Sequence, residues 1–177
     1  MKYKDNFVFN FIMTSNTTND MTSNITTDAN DANATNDAND LNITLYFDGC
    51  SKGNPGPSGS GAIIKYNNQN ISLSKYIGNT TNNVAEYNGL ILGLKYLEDK
   101  YFTHLTIKGD SMLVINHMTG KYKVKSPNLL PLYNEAKALI EKIKMNNHTH
   151  EITFLYIPRE ENKEADHLAN IGLKNLW

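Results

Sequence analysis

The stretch Ile43-Thr44-Leu45-Tyr46-Phe47-Asp48 begins the part of the chain that can fold. Its β-branched and aromatic residues predict a β-strand, and Asp48 stands at the end of that strand. The loop that follows, residues 49–57, is dense in glycine, proline and other turn formers. We therefore expect a strand that delivers an acidic side chain to the edge of a sheet.

The residues after this loop predict an antiparallel meander and then a helix. Two further strands are expected at residues 59–66 and 71–77, joined by a short polar turn. The apolar period then changes to that of a helix, with Thr81, Asn82 or Asn83 available as the N-cap. The apolar stripe consists of Val84, Tyr87, Leu90, Ile91, Leu94 and Leu97.

The rest of the chain alternates strands and helices. The patterns predict strands at 105–107 and 151–157, and helices at 111–118, 131–145 and 161–171. Gly172 is expected to end the last helix. The resulting order, β-β-β-α-β-α-α-β-α, predicts an α/β fold with a mixed sheet, in which the strands after the first helix are joined in parallel.

The first 40 residues differ in composition from the remainder. From residue 15 to residue 40 the chain is nearly all Asn, Thr, Asp, Ser and Ala, with a repeated Asp-Ala-Asn triplet. Such a segment has little apolar surface to bury, so it cannot offset the entropy lost on ordering. We expect residues 1–40 to be a disordered extension and residues 41–177 to be one domain.

The charge is distributed unevenly along the chain. The whole chain has a net charge of −1, but residues 1–40 carry two lysines against six aspartates, a net charge of −4. The remainder therefore carries +3, and its surface is basic if four of its carboxylates surround metal ions. A basic surface suits an anionic partner such as nucleic acid, although ordinary scatter of charge would give the same totals.

Composition also bounds the location of the protein. No apolar run approaches the roughly 20 residues that span a bilayer, so we expect no membrane segment. The lone Cys50 cannot form an intramolecular disulfide and fits a reducing compartment. We expect an intracellular, cytoplasmic protein that acts as a monomer.

Four acidic residues hold positions from which they can converge. Asp48 ends the first strand, Asp110 follows the fourth, Asp166 lies early in the last helix, and Glu86 lies on the apolar side of the first helix. Clustered carboxylates repel one another, and their pKa values rise unless cations compensate. Hard divalent ions such as Mg²⁺ and Mn²⁺ prefer oxygen ligands, and a pair of them can promote phosphoryl displacement. The set predicts a metal site, although each acid alone also fits a helix cap or a turn.

Four sequence motifs resemble those of the type 1 ribonuclease H family and occur in the order of that family. They are residues 48–56, which include Gly53-Asn54-Pro55-Gly56, and residues 81–86, 109–111 and 157–169. The resemblance extends from residue 41 to about residue 173. It implies a ribonuclease H-like fold with a five-stranded mixed sheet flanked by helices, and a ribonuclease H domain at residues 41–177.

The resemblance also implies a reaction, the hydrolysis of the RNA strand of RNA–DNA hybrids with two Mg²⁺ ions, for which Mn²⁺ is a substitute. By position, Asp48 would bridge both ions and Asp166 would complete the site that activates water. Glu86 and Asp110 would hold the ion near the leaving group. Glu86 would also lie near a ribose 2′-hydroxyl, the group that distinguishes RNA from DNA.

A second set of residues is predicted to contact the hybrid. Loop and helix-cap residues in the first two motifs match family positions near the substrate, and the short segment 121–125 adds lysines suited to backbone contact. The same segments also fit purely structural roles, as a tight turn, a helix cap and a solvated loop, and these roles are compatible with substrate contact. The predicted substrate contacts are Gly49, Ser51, Asn54, Thr81, Asn82, Asn83, Lys123 and Lys125.

The chain departs from the family pattern in two places. Many members carry a His on the loop before the last Asp, where this chain has Arg159 seven residues before Asp166. A guanidinium cannot act as a general base at neutral pH, so we expect Arg159 to serve the catalytic set through charge or substrate handling. Many members also carry a long basic protrusion between the third and fourth motifs, and the corresponding segment is short here.

Three functions remain open at this point. The first is a free-standing endonuclease specific for RNA–DNA hybrids. The second keeps the fold but acts on double-stranded RNA, or is a domain derived from a reverse transcriptase. The third is a catalytically inactive module that binds nucleic acid, against which the four intact acids argue.

Overall fold

The structure, a computed structural model, describes residues 41–147 and 151–174. A 3-10 turn at Arg159–Glu161 precedes the last helix. The predicted disorder of residues 1–40 lies outside the described residues. The elements are β1 (Asn42–Ser51), β2 (Gly56–Tyr66), β3 (Gln69–Thr80), α1 (Asn82–Leu97), β4 (His104–Gly109), α2 (Met112–Met118), α3 (Leu130–Asn147), β5 (Glu151–Tyr156) and α4 (Lys163–Lys174).

The strands form one five-stranded mixed sheet in the order β3-β2-β1-β4-β5. The pairs β1–β2 and β2–β3 are antiparallel, whereas β1–β4 and β4–β5 are parallel. The predicted fold class is therefore confirmed. Crossover helices join the parallel strands, so the carboxyl ends of β1, β4 and β5 lie along one edge of the sheet.

The meander extends further than the sequence pattern predicted. Asn67 and Asn68 have φ values of 44° and 60°, which Asn tolerates better than most residues and which suit a two-residue hairpin turn. At the other end of β2, pairing begins with Gly56 opposite Thr80. Gly56 and Pro57, which were predicted as loop, are therefore part of the strand, because backbone pairing with β3 outweighs their weak intrinsic preference.

Helices cover the two faces of the sheet. On β2, Ser60 Oγ donates to the carbonyl of Ala85 in α1 at 2.8 Å, while the Cβ direction of the next residue, Gly61, meets α4. Successive strand residues point to opposite faces, so α1 and α4 lie on opposite sides. The main core lies on the α1 side and includes the fully buried Leu45 and Phe47.

Two glycines permit close contact between helices and the sheet. A Cβ on Gly89 of α1 would lie 2.3 Å from the carbonyl oxygen of Asp48, so the missing side chain lets α1 lie directly against the end of β1. The expectation that Gly172 ends α4 was wrong, since the helix continues to Lys174. A Cβ at Gly172 would lie 2.6 Å from the carbonyl oxygen of Lys75, so packing against β3 explains this glycine.

Among the described helices, none has both the length and the apolar content that crossing a membrane requires. The connection between α2 and α3, residues 119–129, is short and contains no helix. The structure thus agrees with the compact form predicted from the sequence.

Candidate active site

Three of the four predicted acids meet at the edge of the sheet. Phe47 and Gly109 are the last partners in the parallel β1–β4 ladder, so the residues that follow them, Asp48 and Asp110, lie side by side where that ladder ends. The prediction that β1 ends at Asp48 was wrong, because β1 stays paired with β2 as far as Ser51. Glu86 reaches the same place from the second turn of α1. One carboxylate oxygen from each of these acids lies within 4.8 Å of the others.

The three-carboxylate cluster is largely withdrawn from solvent. Asp48 is 4% exposed and Glu86 7% exposed. Burial, followed by the charge of Asp110, raises the pKa of Asp48 to about 7, although the N–H of Gly49 opposes this by donating to Asp48 Oδ1 at 2.8 Å. Burial and the charge of Asp48 likewise raise the pKa of Glu86 well above its usual range.

The donor atoms of the cluster fit a hard divalent cation. Glu86 Oε2 is buried and has no hydrogen-bonding partner among the described residues. The cluster that these three acids form among the described residues offers only carboxylate oxygens and contains no His or Cys. Oxygen-only donors are the ligands that Mg²⁺ and Mn²⁺ prefer, and such an ion would offset the mutual repulsion of the acids.

The fourth predicted acid, Asp166, lies beside the cluster but is not a member of it. Its Oδ1 accepts a hydrogen bond from Arg159 Nη2 at 2.7 Å, and its Oδ2 accepts one from Asn170 at 3.2 Å. Asp166 is close enough to contribute to the raised pKa of Asp48. Since the Arg159 side chain is 76% exposed, it has room to move away from this carboxylate.

A residue to which the sequence analysis gave no role, Asn162, connects the elements of the site. It is 1% exposed, and its Nδ2 donates to the carbonyl of Phe47 at 2.9 Å and to Asp110 Oδ1 at 2.7 Å. The backbone carbonyl of Asn162 accepts from the N–H of Asp166 at the start of α4. Asn162 lies in the fourth motif, but hydrogen bonds to such distant residues leave no local pattern in the sequence.

A cavity of about 440 Å³ lies beside the N-terminus of α1, and we call it the lysine cavity. It brings together five of the eight predicted substrate contacts, which are Asn54, Thr81, Asn83, Lys123 and Lys125. The other residues that line it were not predicted from the sequence, and they are Leu113, His117, Ser126, Asn128 and Leu129.

The other three predicted contacts, Gly49, Ser51 and Asn82, do not line this cavity. The N–H of Gly49 holds Asp48, as described above. Ser51 Oγ donates to the carbonyl of Thr80 at 2.9 Å, and the N–H of Asn82 donates to Asn54 Oδ1 at 3.0 Å. These bonds shape the loop around the site, and direct contact of the three residues with substrate stays a prediction.

Comparisons with known proteins identify the family. A family model described as reverse transcriptase-like matches residues 46–172. A bifunctional protein of Mycobacterium tuberculosis is 40% identical over 131 residues, which are 72% of this chain and 34% of that protein. Ribonuclease H of Coxiella burnetii is 31% identical over 144 residues, covering 76% of this chain and 91% of that enzyme. The chain belongs to the type 1 ribonuclease H family.

A solved structure agrees with membership of the ribonuclease H family. LC11-RNase H1 in complex with an RNA/DNA hybrid has a TM-score of 0.63 to this chain at 40% identity, covering 75% of this chain and 96% of that one. The five-stranded sheet is therefore the ribonuclease H fold. The chain spans about a third of the length of the mycobacterial relative.

Proposed function

We propose that this chain is an endoribonuclease that hydrolyses the RNA strand of RNA–DNA hybrids with two divalent cations, Mg²⁺ or in its place Mn²⁺. The observation that carries the proposal is the buried cluster of Asp48, Glu86 and Asp110, in which one oxygen of Glu86 lacks a partner. The similarity to LC11-RNase H1, which was solved with an RNA/DNA hybrid, supports the choice of substrate.

The side chains of the site have separable tasks in this proposal. Asp48, Glu86, Asp110 and Asp166 would hold the cations, and Asp166 becomes available when Arg159 moves away. Bound cations of this kind lower the pKa of a coordinated water and stabilise the departing oxygen. Once it has left Asp166, Arg159, which is exposed and always charged, would attract the phosphate backbone.

Two hydrogen bonds orient the carboxylates for this task. The N–H of Gly49 occupies Asp48 Oδ1, and Asn162 Nδ2 occupies Asp110 Oδ1. Each bond fixes the rotation of its carboxylate, and neither donor occupies the second oxygen, Oδ2. Groups that orient metal ligands in this way strengthen metal binding, because less ordering remains to be done when the ion binds.

The lysine cavity would bind the backbone of the hybrid. Thr81 and Asn83 line it at the N-terminus of α1, only about one helical turn before Glu86, and helix N-termini favour phosphate groups. Lys123 and Lys125 line the same cavity and add positive charge. Contacts of this kind are insensitive to base sequence, so cleavage at many positions along a hybrid is expected.

The test is cleavage of labelled RNA–DNA hybrid, double-stranded RNA and single-stranded RNA, each with Mg²⁺ or Mn²⁺. Hybrid should be cut and single-stranded RNA spared, and Asp110→Asn should abolish cleavage while Asp99→Asn, which alters an exposed carboxylate, should not. Tight binding of intact hybrid by the unaltered protein would establish an inactive binding module. Preferential cleavage of double-stranded RNA would show that the substrate is double-stranded RNA and not the hybrid.

A further inference from the structure

His117 and Tyr87 form a buried pair that the proposed reaction does not use. The Tyr87 hydroxyl lies 2.9 Å from His117 Nδ1, and the two rings are stacked with their centroids 6.1 Å apart. Tyr87 is fully buried and His117 is 6% exposed. The pair therefore joins α1 to α2 next to the lysine cavity. Tyr87 is the α1 residue that directly follows Glu86.

The hydrogen bond determines which nitrogen of His117 carries the proton. Burial lowers the pKa of His117, so the imidazole ring is neutral near pH 7. His117 Nδ1 is the hydrogen-bonding partner of the Tyr87 hydroxyl, which has no other among the described residues. A buried hydroxyl left without an acceptor is costly, so Tyr87 donates to Nδ1 and the ring carries its hydrogen on Nε2.

The Nε2–H group is available to a ligand. His117 Nε2 has no hydrogen-bonding partner in the described part of the chain. It is not one of the buried atoms that lack a partner there, because it keeps some contact with solvent. His117 lines the lysine cavity, into which this edge of the ring can therefore donate. None of the described residues lining that cavity is acidic, so the ligand expected there is an anion that only accepts hydrogen bonds.

We propose that His117 is a substrate-binding residue of the lysine cavity, whose Nε2–H donates to a phosphate oxygen of the bound nucleic-acid backbone. This inference rests on the proposed function, because the hybrid supplies the phosphate. The imidazole adds a neutral donor of fixed direction to the flexible charges of Lys123 and Lys125, and Tyr87 keeps that donor in place by selecting the tautomer.

Hybrid binding in an Asp110→Asn background, where cleavage is prevented, tests the role of His117. The double variant Tyr87→Phe/His117→Phe removes both partners of the buried hydrogen bond, which is far less disruptive than removing one. Its Kd for hybrid should rise about tenfold, as expected for a lost hydrogen bond to a charged group. His117→Gln, which can place an amide N–H near the position of Nε2, should recover part of the affinity.

The salt dependence separates this role from that of the lysines. A neutral N–H displaces no counterion, so the double variant should keep the slope of log Kd against log salt concentration. Lys123→Ala should reduce that slope by about 0.9. Nitrogen NMR of His117 should show the Nε2–H tautomer, with a resonance that shifts on addition of hybrid but not of inorganic phosphate at the same concentration.

Several results would overturn the inference. These are an unchanged hybrid Kd in the double variant, a ring protonated on Nδ1, and an equal shift with inorganic phosphate. Each leaves the proposed function standing if the Asp110→Asn protein still binds hybrid. Failure of the unaltered protein to cut or bind any hybrid would instead remove the proposed function and this inference together.

Discussion

Asp48 and Asp166 are close neighbours, but their surroundings differ in charge and in contact with solvent. Asp48 is 4% exposed, and burial together with the charge of Asp110 raises its pKa to about 7. Asp166 lies nearer the surface and is paired with Arg159 at 2.7 Å. In the proposed reaction, the inner cluster of Asp48, Glu86 and Asp110 therefore depends on a cation from solution, whereas the outer acid is paired with one supplied by the chain.

This difference teaches how one site can combine tight and adjustable metal binding. A buried carboxylate without a counter-charge gains much from a bound ion, because no protein cation has to be displaced first. A carboxylate with an exposed Arg partner gains less, since an exposed ion pair is worth little and must open. The first ion is thus expected at the inner cluster, and Asp166 is expected to join it later.

The largest effect is expected for Asp48→Asn, which should lower the rate of hybrid cleavage about 1000-fold, since it removes a proposed metal ligand. The same change should raise the melting temperature of the metal-free protein at pH 8. A buried charge that repels its neighbours is removed, while the amide oxygen can still accept from Gly49. Cleavage rates and thermal unfolding in a chelator measure the two effects.

Asp99→Asn is the matched control for this change, because Asp99 is exposed, and it should alter neither quantity. If Asp48→Asn instead lowered the melting temperature without metal, the inner cluster would be compensated by the protein itself. The contrast between the inner cluster and Asp166 would then fail.

A smaller effect is expected for Asn162→Ala, which removes the N–H donated to Asp110. Mg²⁺ affinity, measured by calorimetry without substrate, should fall about 10- to 100-fold, as is typical when a group that orients a metal ligand is lost. The carbonyl of Phe47 also loses its partner, so stability should fall by about 1–3 kcal/mol. Asn88→Ala, which removes a side-chain bond within α1, is the control that should leave metal affinity unchanged.

If Asn162→Ala bound Mg²⁺ as tightly as the unaltered protein, Asn162 would be only a structural link. A double-mutant cycle that combines Asn162→Ala with Asp110→Asn tests this role independently. The effects of the two changes on metal affinity should be smaller together than their sum, because both act through one carboxylate.

The smallest effect is expected in the pH dependence of stabilisation by Mg²⁺. Raised pKa values at Asp48 and Glu86 mean that their protonated forms favour the metal-free fold. That contribution is fully present below the ordinary carboxyl pKa near 4 and is lost as the pH rises through about 7. Mg²⁺ should therefore raise the melting temperature by several degrees at pH 8 and by much less at pH 5.

Asp166→Asn should retain most of this pH dependence, whereas Asp48→Asn should lose much of it. Equal stabilisation by Mg²⁺ at the two pH values would show that the inner acids are already ionised without metal. Thermal unfolding in buffers of matched ionic strength makes the comparison direct.

The convergence of Asp48, Glu86 and Asp110 could be predicted because it follows from local patterns. Two of these acids follow the last residue pair of the parallel β1–β4 ladder, and the third lies on the buried side of a helix. The separate position of Asp166 could not be predicted, because a hydrogen bond to Arg159 is a choice between side-chain conformations. The Asn162 bond to Phe47, 115 residues away in sequence, depends on the completed fold.

The lysine cavity was only partly predictable for a similar reason. Lys123 and Lys125 alternate in an extended segment, and this pattern is visible in the sequence. His117 lies on a short helix whose apolar neighbours gave no sign of a cavity. Its importance appears only when α2 is packed near Tyr87, which no local pattern specifies.

The register of β1 against β4 makes the chain unevenly tolerant of insertions and deletions. The spacing of Asp48 and Asp110 is set by the pairing of Phe47 with Gly109, and not by the length of chain between the two acids. Extra residues in the turn at Asn67 and Asn68 should leave the acids in place. Deleting a single residue inside β1 would turn Asp48 to the other face of the sheet, so natural variation in length should collect in turns and spare this strand.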